Sequence, residues 1–273
     1  MNIEIQIASM NDALKNSIWN FIRGVLPDPS FARPLREAVT MITDQVLKRP
    51  VDEIHVTHQG GPRDWLFKQY RAMGWAEVYD VLEFVVQNVR DVSVQADPRV
   101  VAVEANNILA RERSAYRFVA GELTQITAPA EIAEVERAAE STAVKGLDGA
   151  REHLKQALSL YGKRPDPDYR NAIKEAISAV ESVVKVINGK RGGGLHEALE
   201  AVSGRIELHP ALKTGLEKLY AYTSDKDGVR HAIYGDDAAA VDETDARFMI
   251  VTCSAFVNFL ISKAEAAGLL KSR

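Results

Sequence analysis

The sequence predicts an all-α protein that carries one small β-hairpin. Three observations predict it. Apolar residues recur three and four apart through most of the chain, which is the signature of helices with one buried stripe. Asp, Asn or Pro opens most of these segments, and Gly or Pro closes several of them. Only "SAYRFVAGELTQIT" switches to alternation of apolar and polar residues around a central Ala120-Gly121.

Taken in order, "NDALKNSIWNFIRGVL" opens on Asn11 or Asp12 and sets Leu14, Ile18, Phe21 and Ile22 on one stripe. "PDPS" breaks it. "ARPLREAVTMITDQVL" predicts a second helix ended by Pro50, and "GGPRDWLFKQYRAMG" a short third helix starting at Pro62. "WAEVYDVLEFVVQNV" predicts a fourth, with Trp75, Val78, Val81, Leu82 and Val85 at helical spacing, and Pro98 opens a fifth, "RVVAVEANNILARE". The hairpin pairs Ala115–Val119 with Glu122–Ile126.

Beyond it every segment reads as helix again. "AEIAEVERAAEST" and "GAREHLKQALSLYG" are amphipathic, and "GKRPDPD" is a loop. "DYRNAIKEAISAVESVVKVING" is the most regular stretch, with Asp168 to cap it, Gly189 to stop it, and Ile173, Ile177, Val180, Val184 and Ile187 as its buried stripe. "LHEALEAVSGRIEL", "HPALKTGLEKLYAYTS" and the Asp242-capped "DETDARFMIVTCSAFVNFLISKAEAAG" complete the helices. No period of solenoid length appears. The composition changes at the hairpin, so the boundary falls near Thr127. Residues 1–127 would form a helical N-terminal domain with the hairpin, and residues 128–273 a bundle of about four long helices.

The chain has 273 residues, 46% hydrophobic and 26% charged, enough for two ordinary domains with real cores. A formal charge of −4 argues against binding nucleic acid through global positive charge, so any such contact needs a local basic site. The lone cysteine, Cys253, excludes an intrachain disulfide framework and a cysteine-rich zinc site. The first twenty residues lack the apolar core of a signal peptide. The apolar run Phe248–Ile261 is shorter than the roughly 20 residues of a membrane span. A cytoplasmic protein that makes no use of a membrane is expected, with no cofactor and no metal.

Four features invite chemistry. "NGKRGGGLHEAL" sets Lys190, Arg191 and three glycines before a helix start, as a phosphate loop would, but its order is not that of a nucleotide-binding P-loop, and it reads as a turn. His55 and His58 have no obvious third ligand partner and read as ordinary loop histidines. Cys253 sits in an apolar helix with no local His or Lys, as a small hydrophobe would. "SDKDGVRHAIYGDD", Ser224 to Asp237, is the fourth. Arg230 can grip a phosphate with two prongs, and His231 can move a proton near neutral pH. Cleavage of an RNA phosphodiester needs those two roles, a proton-transfer group and a cation on the developing oxyanion. Neighbouring residues diverge by about 100° on a helix, so the pair shares a site only where a turn folds them together or a partner helix is used. On spacing alone a solvated, capped interhelical loop is the better reading of the stretch, and something beyond spacing is needed to overturn it.

The C-terminal half, through "DYRNAIKEAISAVESVVKVI", "LYAYTSDKDGVRHAI" and "DARFMIVTCSAFVNFLI", resembles the HEPN-type helical domain of abortive-infection (phage-defence) proteins. With "LKNSIWNFI", "WAEVYDVLEFVVQNV" and "NNILARERSAYRFVAGELTQIT", the whole chain resembles the abortive-infection J-like (AbiJ-like) branch with its own N-terminal helical domain. The resemblance implies a HEPN-like bundle that pairs into a homodimer, and RNA as substrate or ligand, cut without metal by an Arg and a His. It also implies an N-terminal domain that senses a trigger or restrains the nuclease. The family motif is an Arg, four to six residues, then a His. His231 matches its histidine, but Ser224, Asp225 and Lys226 occupy the arginine positions. Lys226 has the spacing without the planar head, and Arg230 has the head without the spacing. The candidate catalytic set is therefore Arg230 on the phosphate and His231 as acid/base, supported by Lys226 and Asp227. Arg170 and Glu181 are further candidates for the same cleft. The rival reading is a non-catalytic dimerisation or docking module with a degenerate site.

Overall fold

The computed structural model describes residues 5–54, 61–93, 96–144, 146–189, 199–200, 203–206, 208–224 and 241–270. Among them are eleven α-helices and one two-stranded antiparallel sheet, so the protein is all-α with a small hairpin. The chain divides into two compact units, Met1–Gln125 and Ile126–Arg273.

The first unit is built from α1 (Asp12–Val25), α2 (Ala32–Gln45), α3 (Pro62–Ala72), α4 (Trp75–Gln87), the single turn α5 (Val89–Val92) and α6 (Pro98–Arg111). Asn11 caps α1 by accepting from the Leu14 N–H at 2.8 Å. Leu14, Ile18 and Ile22 then fall on one face, and all are 1% exposed or less. Val78, Val81, Leu82 and Val85 of α4 join them in the same core. Side chains of this size contribute roughly 1.5–3 kcal/mol each on full burial. Two predicted ends move. α2 stops at Gln45, before Pro50, because Lys48 turns left-handed at φ 51. The fourth helix breaks at Asn88, whose side-chain amide turns back onto the Phe84 carbonyl at 2.9 Å.

The hairpin is shorter than predicted, β1 (Arg117–Val119) paired with β2 (Glu122–Thr124), and Ala120 and Gly121 make the turn at φ 51 and 91. Both outer edges are covered by side chains. Asn106 of α6 donates to the Phe118 carbonyl at 2.9 Å and accepts from its N–H at 2.7 Å. Glu83 of α4 accepts from the Leu123 N–H at 2.7 Å. A two-stranded ribbon is marginal alone, and these clamps supply what further strands would have given.

The second unit is a bundle of α7 (Pro129–Ser141), α8 (Asp148–Gly162), α9 (Tyr169–Asn188), α10 (Pro210–Ser224) and α11 (Glu243–Ala266). Helix α9 packs on both α8 and α11, and α11 packs on α7. The buried stripe of α9 mixes Ala172, Ala176 and Ala179 with Ile173, Ile177, Val180, Val183, Val184 and Ile187. The small alanines admit neighbours closely, and the branched residues fill between them. Asp168 accepts from the Asn171 N–H at 3.1 Å, and Gly189 ends the helix left-handed at φ 70.

Helix α11 outruns its apolar stretch, because polar turns at both ends continue it to 24 residues. Length and composition alone would let it cross a membrane, yet half of its most apolar window is buried, against α7, α8 and α9. It is the core helix of this unit.

Candidate functional site

Lys226, Asp227, Arg230 and His231 lie outside the described residues, as do His55, His58, Lys190, Arg191 and Gly192–Gly194. The helices on either side of the candidate stretch are described. α10 delivers the chain at Ser224, and α11 receives it at Glu243. The receiving end is fixed by a reciprocal cap. Asp242 accepts from the Asp245 N–H at 3.0 Å, and the Asp245 carboxylate accepts from the Asp242 N–H at 3.2 Å.

Polar and aromatic side chains gather at this end of the bundle. Glu243 accepts from the hydroxyl of Tyr161, at the end of α8, and lies 3.7 Å from Arg247 one turn along α11. Tyr161 packs against Tyr169, the first residue of α9, with ring centroids 5.7 Å apart and the planes tilted by 53°. Burial, reinforced by the Glu243 carboxylate, pushes the Tyr161 phenol above its ordinary range, so it stays a neutral donor. Arg170, half-buried beside Tyr169, stands in the first turn of α9 at this same end. Glu181 does not. It is eleven residues further along α9, about 16 Å at helical rise, and pairs with Lys185 at 3.5 Å. The two further candidates named from the sequence therefore stand at different levels of α9, Arg170 in its first turn and Glu181 three turns along it.

Tyr161, Glu243 and Arg247 escape sequence reasoning because they come from helix ends far apart in the chain. The only signal for them is that each stands near a cap or a stop. His153 escapes it too. Its Nδ1 lies 2.6 Å from Glu175 across the α8–α9 contact, where it ties the two helices together. Cys253 is buried, and burial pushes its thiol up to about 12, so it is inert as the sequence implied. Among the described residues no cluster of His, Cys, Asp and Glu is arranged to hold a metal.

In the first unit two adjoining clefts open, of about 750 and 1130 Å³, and both are lined by Asn20, Arg23 and Arg63.

A helical unit with a clamped hairpin, continued by a bundle of longer helices, defines an all-α protein of two units. Residues 1–141 match the family model for AbiJ N-terminal domain 4, which covers over half of the chain. The chain belongs to that family and is an abortive-infection-associated protein. No curated protein and no solved structure matches it.

Proposed function

We propose that the chain is a HEPN-type, metal-independent endoribonuclease, or a close RNA-binding relative, acting in phage defence. The observation that carries this reading is the position of the Arg230–His231 pair along the chain. It lies in a polar stretch between α10 and α11, ahead of a firmly capped core helix, in a chain whose first 141 residues belong to an abortive-infection family. In this reading His231 takes the proton of a ribose 2′-hydroxyl, and the 2′-oxygen attacks the adjacent phosphorus. The bond from phosphorus to the 5′-oxygen breaks, and that oxygen leaves with a proton, given by the imidazolium or by the His231 of a second copy. Arg230 neutralises the charge that builds on the non-bridging oxygens. Lys226 and Asp227 flank the pair, Lys226 as a second cation and Asp227 to hold the imidazole. A homodimer through the C-terminal bundle supplies two such sets.

The test is incubation of purified protein with total RNA in EDTA. Wild type is expected to cleave. Arg230→Ala and His231→Ala should each lower the rate by at least about a hundredfold, within the range that general acid–base and electrostatic terms supply. Cleavage that survives both substitutions removes this site. The empty arginine positions of the motif favour a second reading, a non-catalytic module that binds a partner, and absence of both cleavage and RNA binding would select it.

A further inference from the structure

The two clefts of the first unit lie between the second half of α1, the Pro27–Ser30 turn, and the starts of α2 and α3. Four arginines line them, Arg23, Arg33, Arg36 and Arg63, against two carboxylates, Asp28 and Asp64. Neither carboxylate is turned to an arginine by a hydrogen bond. Asp28 accepts from the N–H and hydroxyl of Ser30 at 2.9 and 2.7 Å, and Asp64 accepts from the Gly61 N–H at 3.0 Å. Arg33 is held by Glu37 at 2.9 Å. Arg23 and Arg36 are exposed and make no ion pair with a described residue. Arg63 uses one nitrogen on the Pro27 carbonyl at 2.6 Å, and its Nε is buried with no partner among the described residues. Burial first, and then the nearby Arg23 charge, pull the Arg63 guanidinium below its ordinary value. Asp28 and Asp64 act on Arg63 in the opposite sense, but four arginines still outnumber the two lining carboxylates. An excess of like charge facing one cleft is the arrangement an incoming anion relieves. The start of α2 faces the same space with no side-chain cap and no acidic residue in its first turn, which adds the positive end of a helix.

Aromatic surface accompanies the charge. Trp19, buried, stacks on Phe67 with centroids 4.8 Å apart at 34°. Phe67 is 37% exposed and Phe31 55%, and both line the clefts. Large aromatics cost free energy in water, and a planar apolar group laid on them recovers it.

From cations that grip phosphate beside open rings that stack a base, we infer that this cleft binds a nucleoside phosphate, free or within a single strand. The volumes suit a ligand of that size, and stacking plus arginine contacts is how strands are held without sequence preference. The site needs no chemistry from Arg230 and His231, so it is independent of the nuclease proposal.

The experiment uses the full chain and two probes, ADP and a fluorescein-labelled oligodeoxythymidylate of about twelve nucleotides. Neither probe carries the internal ribose phosphodiester that the proposed nuclease would cut. Fluorescence anisotropy reads the oligonucleotide, and tryptophan quenching through Trp19 reads both. Wild type is expected to bind at least one probe with a Kd below about 1 mM. The double variant Arg23→Glu/Arg36→Glu should raise Kd at least about tenfold, and Phe67→Ala should do so independently. Equal affinity for both probes marks a free nucleotide as the ligand, and a much tighter oligonucleotide marks a strand. Circular dichroism checks that the double variant folds, and Arg23→Gln/Arg36→Gln serves if it does not. Failure of both probes to bind overturns the proposal, and so does binding untouched by both the arginine and the Phe67 variants.

Discussion

At the scale of single residues, the second unit separates inert groups from costly ones. Cys253 is a thiol in name only: its burial stabilises the neutral form, so the thiolate that would react is scarce at any ordinary pH. We expect the native protein to resist alkylation by iodoacetamide at pH 8 and to label stoichiometrically once unfolded in urea. Rapid labelling of the native chain would mean that α11 opens readily. Ser254 and Asn258 differ from Cys253 although they share its helix. The Ser254 hydroxyl and the Asn258 carbonyl oxygen are buried without a partner among the described residues. Asn258 keeps its other end tied, donating to the Glu134 carbonyl at 3.1 Å and to its carboxylate at 2.8 Å. Glu134 is thereby fixed between Asn258 and Arg137, whose hydrogen bond is the main reason its carboxyl titrates below the usual range. This places polar atoms inside the α7–α11 contact, where an apolar pair would avoid their desolvation.

At the scale of elements, helix ends decide how the chain turns from one helix to the next. Helix α9 has a side-chain cap at one end and a left-handed glycine at the other, and both are readable in the sequence as Asp168 and Gly189. Asp168→Ala should cost about 1 kcal/mol of unfolding free energy. Gly189→Ala should cost about 1–2 kcal/mol, since a Cβ at φ 70 is strained even where space is open. Urea unfolding measures both, and no change in either would mean that α9 is not held by its ends. The apolar stripes of α1, α4 and α9 are legible because three- and four-residue spacing states a helix locally. The actual stop of α2, the break at Asn88 and the clamping of the hairpin by Asn106 and Glu83 are not, because each depends on a backbone angle or on a side chain distant in the chain. The end of the bundle around Tyr161, Glu243 and Arg170 is half legible. Arg170 can be named from the sequence, but its company cannot.

At the scale of the whole molecule, a formal charge of −4 conceals opposite local tendencies. The arginine-lined cleft draws its side chains from three helices and a turn, none of which carries a motif, so it leaves no signature in the sequence. The Arg230–His231 pair is the reverse case, a legible chemistry in residues that lie outside the described structure. Family membership through residues 1–141 joins the chain to abortive infection, and the nuclease reading adds a reaction to that association. The reaction makes a demand on its products. Attack by the 2′-oxygen leaves a 2′,3′-cyclic phosphate on one fragment and a 5′-hydroxyl on the other, and a 2′-deoxy residue at the scissile position abolishes it.

The most direct measurement is therefore the end chemistry of fragments made in EDTA from a defined RNA and from its 2′-deoxy counterpart. Cyclic phosphate and 5′-hydroxyl ends are predicted from the RNA, with no cleavage of the deoxy strand and loss of both fragments in His231→Ala. Cleavage of both strands, or 5′-phosphate ends, would contradict the proposed reaction.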